Sequence, residues 1–426
     1  MARIAIIGAG YVGLVSAGCF AKLGHNVFVY DIDAQRINNL QAGILTIFEP
    51  GLEAIIAEGL HKKTLTFCPS LPSAIEASEA IFICVGTPQS PDGTADMRHV
   101  EDVTQSLAPL LGSYKVIVDK STVPMGTARE LTHHIAASNP QAQFDVISNP
   151  EFLREGEAVN DFLNPDRIVI GMNTQAPRAL MEQIYAPLSS QGVPILWVSS
   201  DSAELIKYAT NAFLAVKLSF VNELSDLCEE SHAVIDEVIA GLGADIRIGR
   251  TFLNPGPGYG GSCFPKDTKA ILQKAQNLGV TLSLIECADN SNTQRKRNLI
   301  AKVAKIAGPL KGKRIAILGL SFKANTDDIR ESPAWDLVPA LKQAGAKLVL
   351  SDPQALWPCH DDGPLVRDPH AAVTDADCAV ILTEWNEYRQ LPWKQLAPMM
   401  AHPIVIDFRN LYNHGNMHES GVSYYP

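Results

Sequence analysis

A glycine-rich turn between a predicted strand and a predicted helix constrains the start of this chain more than any other feature. The run Arg3–Ile7 is almost entirely apolar, as in a strand buried on both faces of a parallel sheet. Residues 8–13 then read Gly-Ala-Gly-Tyr-Val-Gly, a helical pattern covers Leu14–Leu23, and a second strand, Asn26–Tyr30, ends at Asp31. Such glycines let a pyrophosphate approach the helix N-terminus, and an acid about 20 residues further on accepts from an adenosine ribose and repels a 2′-phosphate. The pattern therefore predicts an α/β domain that binds NAD, with a glycine turn that binds no nucleotide as the alternative.

Further strand signals follow with helical segments between them, an alternation that predicts a doubly wound α/β sheet. They lie at residues 80–85, 115–119, 144–147, 167–170 and 195–198. Ligands bind outside the carboxyl ends of the strands in such sheets, so Thr122 and Glu151, which follow two of these strands, are candidate site residues. Taken separately, Thr122 reads equally well as a helix N-cap before Pro124, and Glu151 as a solvated loop acid.

A long helix is predicted from Asp201 to about Glu230, where neither glycine nor proline occurs. Lys207 and Asn211 are four residues apart and therefore neighbours on one face, with a solvated Lys207 as the alternative to a functional one. Apolar residues recur on another face at spacings of three and four, which predicts a stripe in a core or in a dimer interface. The stripe consists of Leu205, Ala209, Phe213, Val216, Phe220, Leu224 and Leu227.

Helical patterns continue to about Ala307, so an all-helical segment separates two α/β parts of the chain. We therefore predict a Rossmann-like NAD-binding domain at 1–199, a central helical domain at 200–307 and a second Rossmann-like domain at 308–426. The second α/β part lacks the GxGxxG pattern after its first strand and carries Lys323 and Arg330 in that region. These cations predict a site for a different anionic ligand, with surface charge as the alternative.

Residues 258–267 read Gly-Tyr-Gly-Gly-Ser-Cys-Phe-Pro-Lys-Asp and lead into another helical pattern. Pro265 suits the first turn of that helix, which would place Cys263 at the helix N-terminus. The partial positive charge there, with Lys266 nearby, favours the nucleophilic thiolate, whereas a buried and inert cysteine is the alternative. Beside an NAD site, a thiolate could add to an aldehyde formed by hydride transfer, and the adduct could be oxidised to a thioester and released as an acid.

The overall charge and the cysteine pattern narrow the class of protein. A formal net charge of −11 over 426 residues argues against a nucleic-acid-binding protein, which neutralises phosphates with Lys and Arg. Eight cysteines are scattered without a CxxC spacing, as in proteins of a reducing compartment. Neither a cleavable signal pattern nor a run of 18 apolar residues occurs, so we expect a cytoplasmic protein with no membrane role and no metal site.

Seven segments spread over nearly the whole chain are similar, in the same order, to motifs of the UDP-glucose/GDP-mannose dehydrogenase family. They are GAGYVG at 8–13, CVGTP at 84–88, KSTVP at 120–124, NPEFLREG at 149–156, ELIKYATNAFLA at 204–215, GYGGSCFPKD at 258–267 and SFKANTDDIRES at 321–332. The resemblance implies a homodimer that oxidises a sugar nucleotide to a uronate in two successive NAD-dependent steps. The segment from Arg247 to Tyr259 looks like that of members acting on UDP-glucose, with GDP-mannose as the alternative substrate. Phe408 is a departure, because the family has a small residue before the position of Arg409.

The same resemblance implies roles for six residues in the chemistry. Cys263 would be the nucleophile that forms the thiohemiacetal and the thioester. Lys207 and Asn211 would stabilise the alkoxide or oxyanion, and Lys207 is also a candidate base for the first oxidation. Glu151 would be the general base for thioester hydrolysis. The remaining two would position water: Thr122 and Asp267.

Two further sets of residues would bind the ligands, again by resemblance. The implied NAD contacts are Gly8, Gly10, Tyr11, Val12, Gly13, Asp31, Thr87, Thr122, Glu155 and Arg330. The implied sugar-nucleotide contacts are Glu151, Phe152, Leu153, Glu155, Lys207, Asn211, Arg247, Phe252, Leu253, Tyr259, Gly260, Lys323 and Arg409, with Arg247 reaching across the dimer interface. Two other functions stay open: a two-electron dehydrogenase with a structural cysteine, and a non-catalytic NAD-sensing module.

Overall fold

The computed structural model describes residues 1–412 and 414–426. The chain divides into two units, residues 1–210 and 211–426, and each unit contains one sheet with helices around it. Two Rossmann-like α/β sheets with a helical segment between them in the sequence confirm the predicted fold class. The three domain boundaries remain a prediction. No helix in the described part of the chain is long and apolar enough to cross a membrane.

The first unit contains an eight-stranded sheet. Its strands are β1 (Arg3–Ile7), β2 (Asn26–Tyr30), β3 (Leu65–Phe67), β4 (Ala80–Ile83), β5 (Lys115–Asp119), β6 (Phe144–Ser148), β7 (Ile168–Gly171) and β8 (Ile195–Val198). They lie in the order β3-β2-β1-β4-β5-β6-β7-β8, and the order reverses between β1 and β4, where an open α/β sheet forms its ligand crevice. Neighbouring strands are parallel except β6 and β7, which meet at one antiparallel pair, Ser148 and Gly171. Strand β3 was not predicted, because its three residues are too few to show a periodic pattern.

Helices cover both faces of this sheet, which explains why β1 is apolar along its whole length. Ile4 and Ile6 belong to the core on one face, whereas Ala5 and Ile7 belong to the core on the other. The helices are α1 (Tyr11–Lys22), α2 (Ala34–Gln41), α3 (Leu52–His61), α4 (Leu71–Glu76), α5 (Arg98–Leu107), α6 (Thr127–Ser138), α7 (Ala158–Leu163) and α8 (Arg178–Ser189).

A long helix, α9 (Ser200–Ser231), contains the boundary between the two units and confirms the helix predicted from Asp201. Three more helices precede the second sheet: α10 (Ile235–Ala244), α11 (Phe264–Asn277) and α12 (Ser283–Ala307). Together they are the predicted all-helical segment.

The second sheet is parallel throughout. Its strands are β9 (Arg314–Leu318), β10 (Lys347–Ser351), β11 (Leu365–Val366), β12 (Cys378–Ile381), β13 (Ile404–Asp407) and β14 (Ser423–Tyr425). They lie in the order β11-β10-β9-β12-β13-β14. Five helices accompany them: α13 (Ala334–Gln343), α14 (Pro369–Val373), α15 (Asn386–Arg389), α16 (Trp393–Leu396) and α17 (His414–Glu419).

The second sheet repeats the strand–turn geometry of the first. In each, a glycine N–H after the first strand donates to the carbonyl at the end of the neighbouring strand, at 2.8 Å from Gly8 to Tyr30 and at 2.8 Å from Gly319 to Ser351. Asp352 follows β10 as Asp31 follows β2, but Asp352 is fully buried and its carboxylate accepts from four backbone N–H groups. The carboxylate of Asp352 therefore stabilises the turns of the second sheet, and these backbone partners leave it inaccessible to a ribose.

A buried histidine ties the N-terminal strand of the first unit to α8. The N–H of Ala2 donates to Nδ1 of His25 at 3.1 Å, and Nε2 of the same ring donates to the carbonyl of Ile184 at 2.9 Å. Because an amide N–H only donates and a carbonyl only accepts, these partners require the neutral ring with its proton on Nε2. Burial lowers the pKa of His25 below its ordinary value.

This arrangement predicts that the protein loses stability in mild acid. Between the ordinary pKa of histidine, about 6.5, and the lower folded-state pKa, the unfolded chain binds a proton at His25 that the folded chain does not. The free energy of unfolding should therefore fall as the pH drops below about 6.5, by up to about 1.4 kcal/mol per pH unit from this group. His25→Gln should flatten that slope in urea unfolding measured from pH 7 to pH 5, whereas His133→Gln, at an exposed histidine of α6, should not. An equal slope in the parent protein and in His25→Gln would contradict the assignment.

Candidate active site

A buried ion pair joins the loop after β6 to helix α9 in the first unit. Nζ of Lys207 donates to Oε1 of Glu151 at 3.0 Å, and the two side chains are only 4% and 5% exposed. Oε2 of Glu151 accepts from the N–H of Leu153 at 2.5 Å, so both carboxylate oxygens have partners. The alternatives of a solvated loop acid for Glu151 and a solvated side chain for Lys207 are therefore wrong, because the two charged groups are buried against each other.

The aromatic ring of Phe152 lies close to two cations. Nζ of Lys207 lies 5.5 Å from the ring centroid of Phe152, and the guanidinium carbon of Arg167 lies 3.9 Å from the same centroid. The half-buried side chains of Leu153 and Val12 pack against the core of the first sheet. The loop after β6 is thus held by the cations near Phe152 and by the apolar packing of Leu153.

A second buried lysine belongs to this cluster, and the sequence analysis did not single it out. Nζ of Lys120 lies 3.4 Å from Oδ1 of Asn149, which also accepts from the hydroxyl of Tyr185 at 2.5 Å. Burial lowers the pKa of Lys120, and the neighbouring ammonium of Lys207 acts in the same direction. The sequence feature that could have identified Lys120 was its position directly after the buried strand β5, because a charged residue there is uncommon unless it is functional.

The loops after β4 and β5 are joined through the two threonines predicted near the cofactor. The hydroxyl of Thr87 donates to the carbonyl of Thr122 at 2.8 Å. The N-cap alternative for Thr122 is wrong, because α6 begins at Thr127 with Gly126 as its N-cap. The hydroxyl of the half-buried Thr122 is thus not used as a helix cap.

The glycine turn after β1 has the geometry of a dinucleotide site. A Cβ on Gly13 would stand 1.8 Å from the carbonyl oxygen of Gly8, so only glycine lets α1 approach the strand this closely. A Cβ on Gly10, the N-cap of α1, would meet no atom within 4 Å, so space is open at the helix N-terminus. Asp31 accepts from the N–H of Ala9 at 2.6 Å and from Nη1 of Arg36 at 3.0 Å.

Glu49 links this turn to the loop after β6. Its carboxylate accepts from the hydroxyl of Tyr11, from the N–H of Gly156 at 2.7 Å and from the N–H of Ala158 at 2.8 Å. The half-buried Glu155 lies directly before Gly156. Two segments assigned separately to NAD and to the sugar nucleotide thus share one buried acid, which the sequence analysis missed because Glu49 lies far from both in the chain.

In the second unit, Cys263 is the N-cap of α11, which confirms the predicted helix start. Its thiol is half-buried, and the hydroxyl oxygen of Ser262 lies 3.5 Å from the sulfur. Cys84 and Cys378 are instead enclosed within the two sheets, and burial raises the pKa of each thiol to about 12. Cys263 combines partial exposure with a helix N-terminus, whose dipole favours the thiolate.

A buried aspartate lies one helical turn beyond the cysteine. The N–H of Asp267 donates to the carbonyl of Cys263 at 2.8 Å, and the side chain of Asp267 is 1% exposed. Its Oδ2 accepts from Nδ2 of Asn211 at 2.6 Å, and its Oδ1 lies 2.7 Å from Nζ of Lys266. The ammonium of Lys266 is therefore paired with Asp267.

We call residues 256–263, which lead to Cys263, the cysteine loop. Protein atoms fill the space beside two of its glycines, Gly260 and Gly261. A Cβ on Gly260 would stand 2.3 Å from the carbonyl oxygen of Glu331, and one on Gly261 would stand 2.7 Å from the ring of Phe322. Gly261 also has a φ of +81°, which a side chain rarely adopts. Gly260 was predicted to contact the sugar nucleotide, which stays a prediction, and the structure shows that both glycines let the loop contact the segment after β9.

Three apolar residues predicted to contact the sugar nucleotide pack against other side chains of the second unit. The rings of Phe252 and Tyr259 each lie 6.0 Å, centroid to centroid, from the ring of Phe264. The side chain of Leu253 is buried in a small core with Val221 and Ile239. Any contact between Leu253 and a ligand would therefore involve its backbone.

Two of the arginines assigned to ligands point toward acids of their own loops. Nη2 of Arg247 lies 2.5 Å from Asp245, and Nη2 of Arg330 lies 2.7 Å from Asp328. The side chain of Arg247 is 85% exposed, so its ion pair is a surface pair that contributes little to stability. Both guanidinium groups would exchange these partners for a ligand at small cost.

Arg409 is held more firmly. Its Nε donates to the carbonyl of Leu382 and its Nη2 to the carbonyl of Phe322, each at 2.7 Å. Nζ of Lys323 lies 5.7 Å from the ring centroid of Phe322, on the same loop. Phe408 is buried in the core of the second sheet, so the larger side chain at this position leaves the hydrogen bonds of Arg409 intact.

The apolar stripe of α9 does not belong to the core of the chain. Phe213, Phe220 and Leu227 are 64%, 50% and 61% exposed. The buried face of the helix instead carries small and polar side chains, among them Ala212, Ala215, Ser219, Asn222 and Ser225. The core interpretation of the stripe is wrong, and the dimer interpretation stays a prediction.

No cluster of three or more His, Cys, Asp or Glu side chains suited to a metal ion occurs among the described residues.

Comparison with known proteins gives matches along the whole chain. Residues 2–189 match the NAD binding domain of the UDP-glucose/GDP-mannose dehydrogenase family, residues 201–294 its central domain and residues 316–414 its UDP binding domain. UDP-glucose 6-dehydrogenase of Rhizobium meliloti (strain 1021) is 45% identical over 429 residues, covering 99% of this chain and 98% of the relative. UDP-glucose 6-dehydrogenase TuaD of Bacillus subtilis (strain 168) is 42% identical over 430 residues, covering 100% of this chain and 93% of the relative.

A solved structure agrees with these matches. A UDP-glucose dehydrogenase from the hyperthermophilic archaeon Pyrobaculum islandicum superposes with a TM-score of 0.92 at 36% identity, covering 100% of this chain and 97% of that one. Three family domains in order, full-length relatives and a shared fold confirm the resemblance read from the motifs. The chain belongs to the UDP-glucose/GDP-mannose dehydrogenase family, NAD-dependent oxidoreductases whose NAD binding domain it carries at residues 2–189.

Proposed function

We propose that this protein oxidises UDP-glucose to UDP-glucuronate in two successive NAD-dependent steps. The relatives from Rhizobium meliloti and Bacillus subtilis carry the name of this activity, and residues 316–414 match a UDP binding domain. The observation that carries the proposal is the half-buried Cys263 at the N-terminus of α11, one turn before the buried Asp267. A four-electron oxidation needs a group that holds the substrate between the two steps, and a thiolate in this position is suited to that task.

The residues after β1 and β2 fit NAD. The open space at Gly10 and the position of Asp31 at the end of β2 agree with a pyrophosphate at the N-terminus of α1 and a ribose beyond it. When bound, NAD accepts a hydride in each oxidation. We assign its binding to Gly8, Gly10, Tyr11, Val12, Gly13, Asp31, Thr87, Thr122, Glu155 and Arg330.

The substrate carbon changes from alcohol to aldehyde to acid, and Cys263 acts in the second half of this sequence. Its sulfur forms a bond to the aldehyde carbon, the carbonyl oxygen takes up a proton, and a thiohemiacetal results. Loss of a hydride and a proton from this adduct leaves a thioester. Water then adds to the thioester carbonyl, the carbon–sulfur bond breaks, and the acid and the free thiol are released.

Lys207 and Glu151 form one functional pair in this proposal. Their ion pair is buried, and charges act strongly on one another and on a substrate where water is scarce. Lys207 stabilises the alkoxide or oxyanion and is a candidate base for the first oxidation. Glu151 takes a proton from the water that attacks the thioester.

Asn211 and Asp267 form the second pair. Asn211 lies one turn beyond Lys207 on α9, so both side chains can donate to one oxyanion. Asp267 holds the amide of Asn211 through its 2.6 Å hydrogen bond, which orients that donor. Asp267 and Thr122 position the attacking water.

The sugar nucleotide would contact residues of four loops and one helix. We assign to it Glu151, Phe152, Leu153, Glu155, Lys207, Asn211, Phe252, Leu253, Tyr259, Gly260, Lys323 and Arg409, together with Arg247 of a second protomer.

We also propose a homodimer formed through α9. Phe213, Phe220 and Leu227 follow one another at seven-residue intervals and expose large apolar surfaces to solvent in the single chain. Exposed apolar residues that form a continuous stripe are typical of protein–protein interfaces. A second copy of α9 would cover them.

The cysteines support a reducing location, and we propose the cytoplasm. The exposed Cys287 and Cys359 are free thiols. Free exposed thiols persist in reducing compartments and are oxidised elsewhere.

The first prediction from this proposal concerns Cys263. The parent enzyme should release two NADH for each UDP-glucose, and Cys263→Ser should lower the rate of acid formation on the order of 10³-fold or more, because serine is a poor nucleophile without a dedicated base. NADH absorbance and chromatography of the sugar nucleotides measure both quantities. Cys287→Ser, at an exposed cysteine of α12, is the matched control and should behave like the parent.

Other outcomes of this experiment identify the other functions. One NADH per substrate, or unimpaired acid formation by Cys263→Ser, would indicate a two-electron dehydrogenase with a structural cysteine. Turnover of GDP-mannose in preference to UDP-glucose would assign the other substrate of the family. Failure to turn over any sugar nucleotide would favour a protein that only binds NAD.

The second prediction separates oxidation from hydrolysis. Glu151→Gln should lower kcat about 10² to 10³-fold through loss of the base, while the first turnover still gives a burst of NADH. The thioester should then accumulate, and mass spectrometry of the intact protein should show the added acyl group. Glu157→Gln, at an exposed glutamate of the same loop, should show neither effect. Loss of the burst together with steady-state turnover would contradict a role of Glu151 confined to hydrolysis.

The third prediction concerns the assembly. Phe220→Asp would place a charge in the proposed interface and should convert the dimer into a monomer in sedimentation equilibrium at micromolar concentration. Met399→Glu, at an exposed apolar residue away from the stripe in the sequence, should leave the dimer intact. A monomeric parent protein would refute the proposed dimer.

A further inference from the structure

Three polar side chains on one face of α12 hold backbone atoms near Cys263. Asn292, Arg295 and Lys296 have the spacing i, i+3, i+4, which places them side by side on the helix. We call these three residues the α12 clamp. Asn292 and Lys296 are buried, although polar side chains on a long helix are usually left to solvent.

Asn292 bonds to both sides of a single loop residue. Its Oδ1 accepts from the N–H of Tyr259 at 2.7 Å, and its Nδ2 donates to the carbonyl of Tyr259 at 3.1 Å. This is the pattern by which one strand holds another, and it fixes the peptide planes before and after Tyr259. The loop must come close for this contact, because a Cβ on Gly258 would stand 3.0 Å from Oδ1 of Asn292.

Arg295 holds the start of the same loop. Its guanidinium donates to the carbonyl of Gly256 and, at 3.1 Å, to the carbonyl of Asn222 on α9. The side chain of Asn222 in turn accepts from the N–H of Gly256 at 2.8 Å. The loop is therefore tied at Gly256 to α9 and α12 together.

Lys296 holds the segment against which the loop rests. Its Nζ donates to the carbonyl of Glu331 at 2.7 Å, and the backbone of Glu331 has a left-handed φ of +52°. The N–H of Gly261 donates to the carbonyl of Arg330 at 2.8 Å. The α12 clamp thus holds both the cysteine loop and the segment that this loop contacts.

The contacts of Asn292 matter because the chain from Tyr259 to the thiol is short and rich in glycine. Gly260 and Gly261 come directly after Tyr259 and lead through Ser262 to Cys263, so releasing Tyr259 would remove the contact that fixes the start of this glycine-rich segment. Reacting atoms must be held within a few tenths of an ångström, and a displacement of about 1 Å can lower a rate about 10²-fold. If Asn292 served only to fill space, an apolar side chain would do so equally well, and it would not need hydrogen-bond partners as a buried amide does.

We propose that Asn292 is a positioning residue that holds the sulfur of Cys263 at the N-terminus of α11, an inference that rests on the nucleophilic role proposed for Cys263. The hydrogen bonds of Asn292 go to the N–H and the carbonyl of Tyr259. Asn292 acts through the backbone of Tyr259, and its removal should affect the reactivity of the thiol more than the binding of the cofactor.

The experiment compares Asn292→Ala and Asn292→Asp in the full-length enzyme. Asn292→Asp keeps the size of the side chain and the acceptor for the N–H of Tyr259, but it places a carboxylate oxygen against the carbonyl of Tyr259. Both variants should lower kcat about 10 to 100-fold, with the KM for NAD within about threefold of the parent value. The pH midpoint for alkylation of Cys263 by iodoacetamide, followed by peptide mass spectrometry, should move upward, because a displaced sulfur loses the helix dipole.

A matched control lies on the same helix. Asn298→Ala removes an exposed asparagine of α12 and should leave kcat and the alkylation midpoint within about twofold and about 0.2 pH units of the parent values. The thermal midpoint of each variant shows whether it is folded. If Asn292→Ala is unfolded, the nearly isosteric Asn292→Asp carries the comparison.

The outcomes separate this inference from the proposed function. A parent-like alkylation midpoint in the Asn292 variants refutes the positioning role, whether kcat is retained or falls with the thermal midpoint. Full acid formation by Cys263→Ser refutes the proposed function instead, and the alkylation midpoints still report on the placement of the sulfur. A shifted midpoint with reduced kcat and an unchanged thermal midpoint supports the inference.

Discussion

Burying a charge without a partner is costly, and this constraint determines the arrangement of the buried polar groups in each of the two units. In the first unit, the ammonium of Lys207 is almost fully buried and takes the carboxylate of Glu151 as its partner. In the second, the carboxylate of Asp267 is buried against the amide of Asn211 and the ammonium of Lys266. In each unit the charged groups are therefore already oriented by their partners, an arrangement that lowers the cost of reorganisation where a reaction takes place.

Helix α9 has polar residues on its buried face and large apolar residues on its exposed face. Its inward face carries small and polar residues such as Ala215, Ser219 and Asn222, whereas Phe213 and Phe220 point to solvent. This is the reverse of a helix that packs only within its own chain. The buried face of α9 carries Lys207 and Asn211 and contacts the cysteine loop through Asn222, while the large apolar side chains lie on the exposed face.

The second sheet has the strand–turn geometry of the first, but the acid in its turn binds backbone N–H groups. Its first turn keeps the hydrogen bond from glycine to the neighbouring strand and the acid at the end of that strand, but Asp352 is enclosed by backbone N–H groups. The loop after β9 instead contacts the glycines of the cysteine loop, through Phe322 and Glu331. The glycines near Cys263 therefore serve the packing of the protein itself, and α12 holds both sides of that contact.

The sequence by itself determined the elements of this protein whose signals are local. The two-faced burial of β1, the glycine turn with Asp31, the extent of α9 and the start of α11 at Cys263 all follow from periodicity, glycine or proline within about 30 residues, and the structure agrees with each. Only the tertiary structure decided the burial of Glu151 against Lys207, the links made by Glu49, the position of Lys120, the contacts of Asn292 and the exposure of the α9 stripe. These depend on residues that are distant in the chain and meet only when strands and helices pack. A periodic pattern shows that a helix has an apolar face, but it does not say whether the chain itself or a second molecule covers that face.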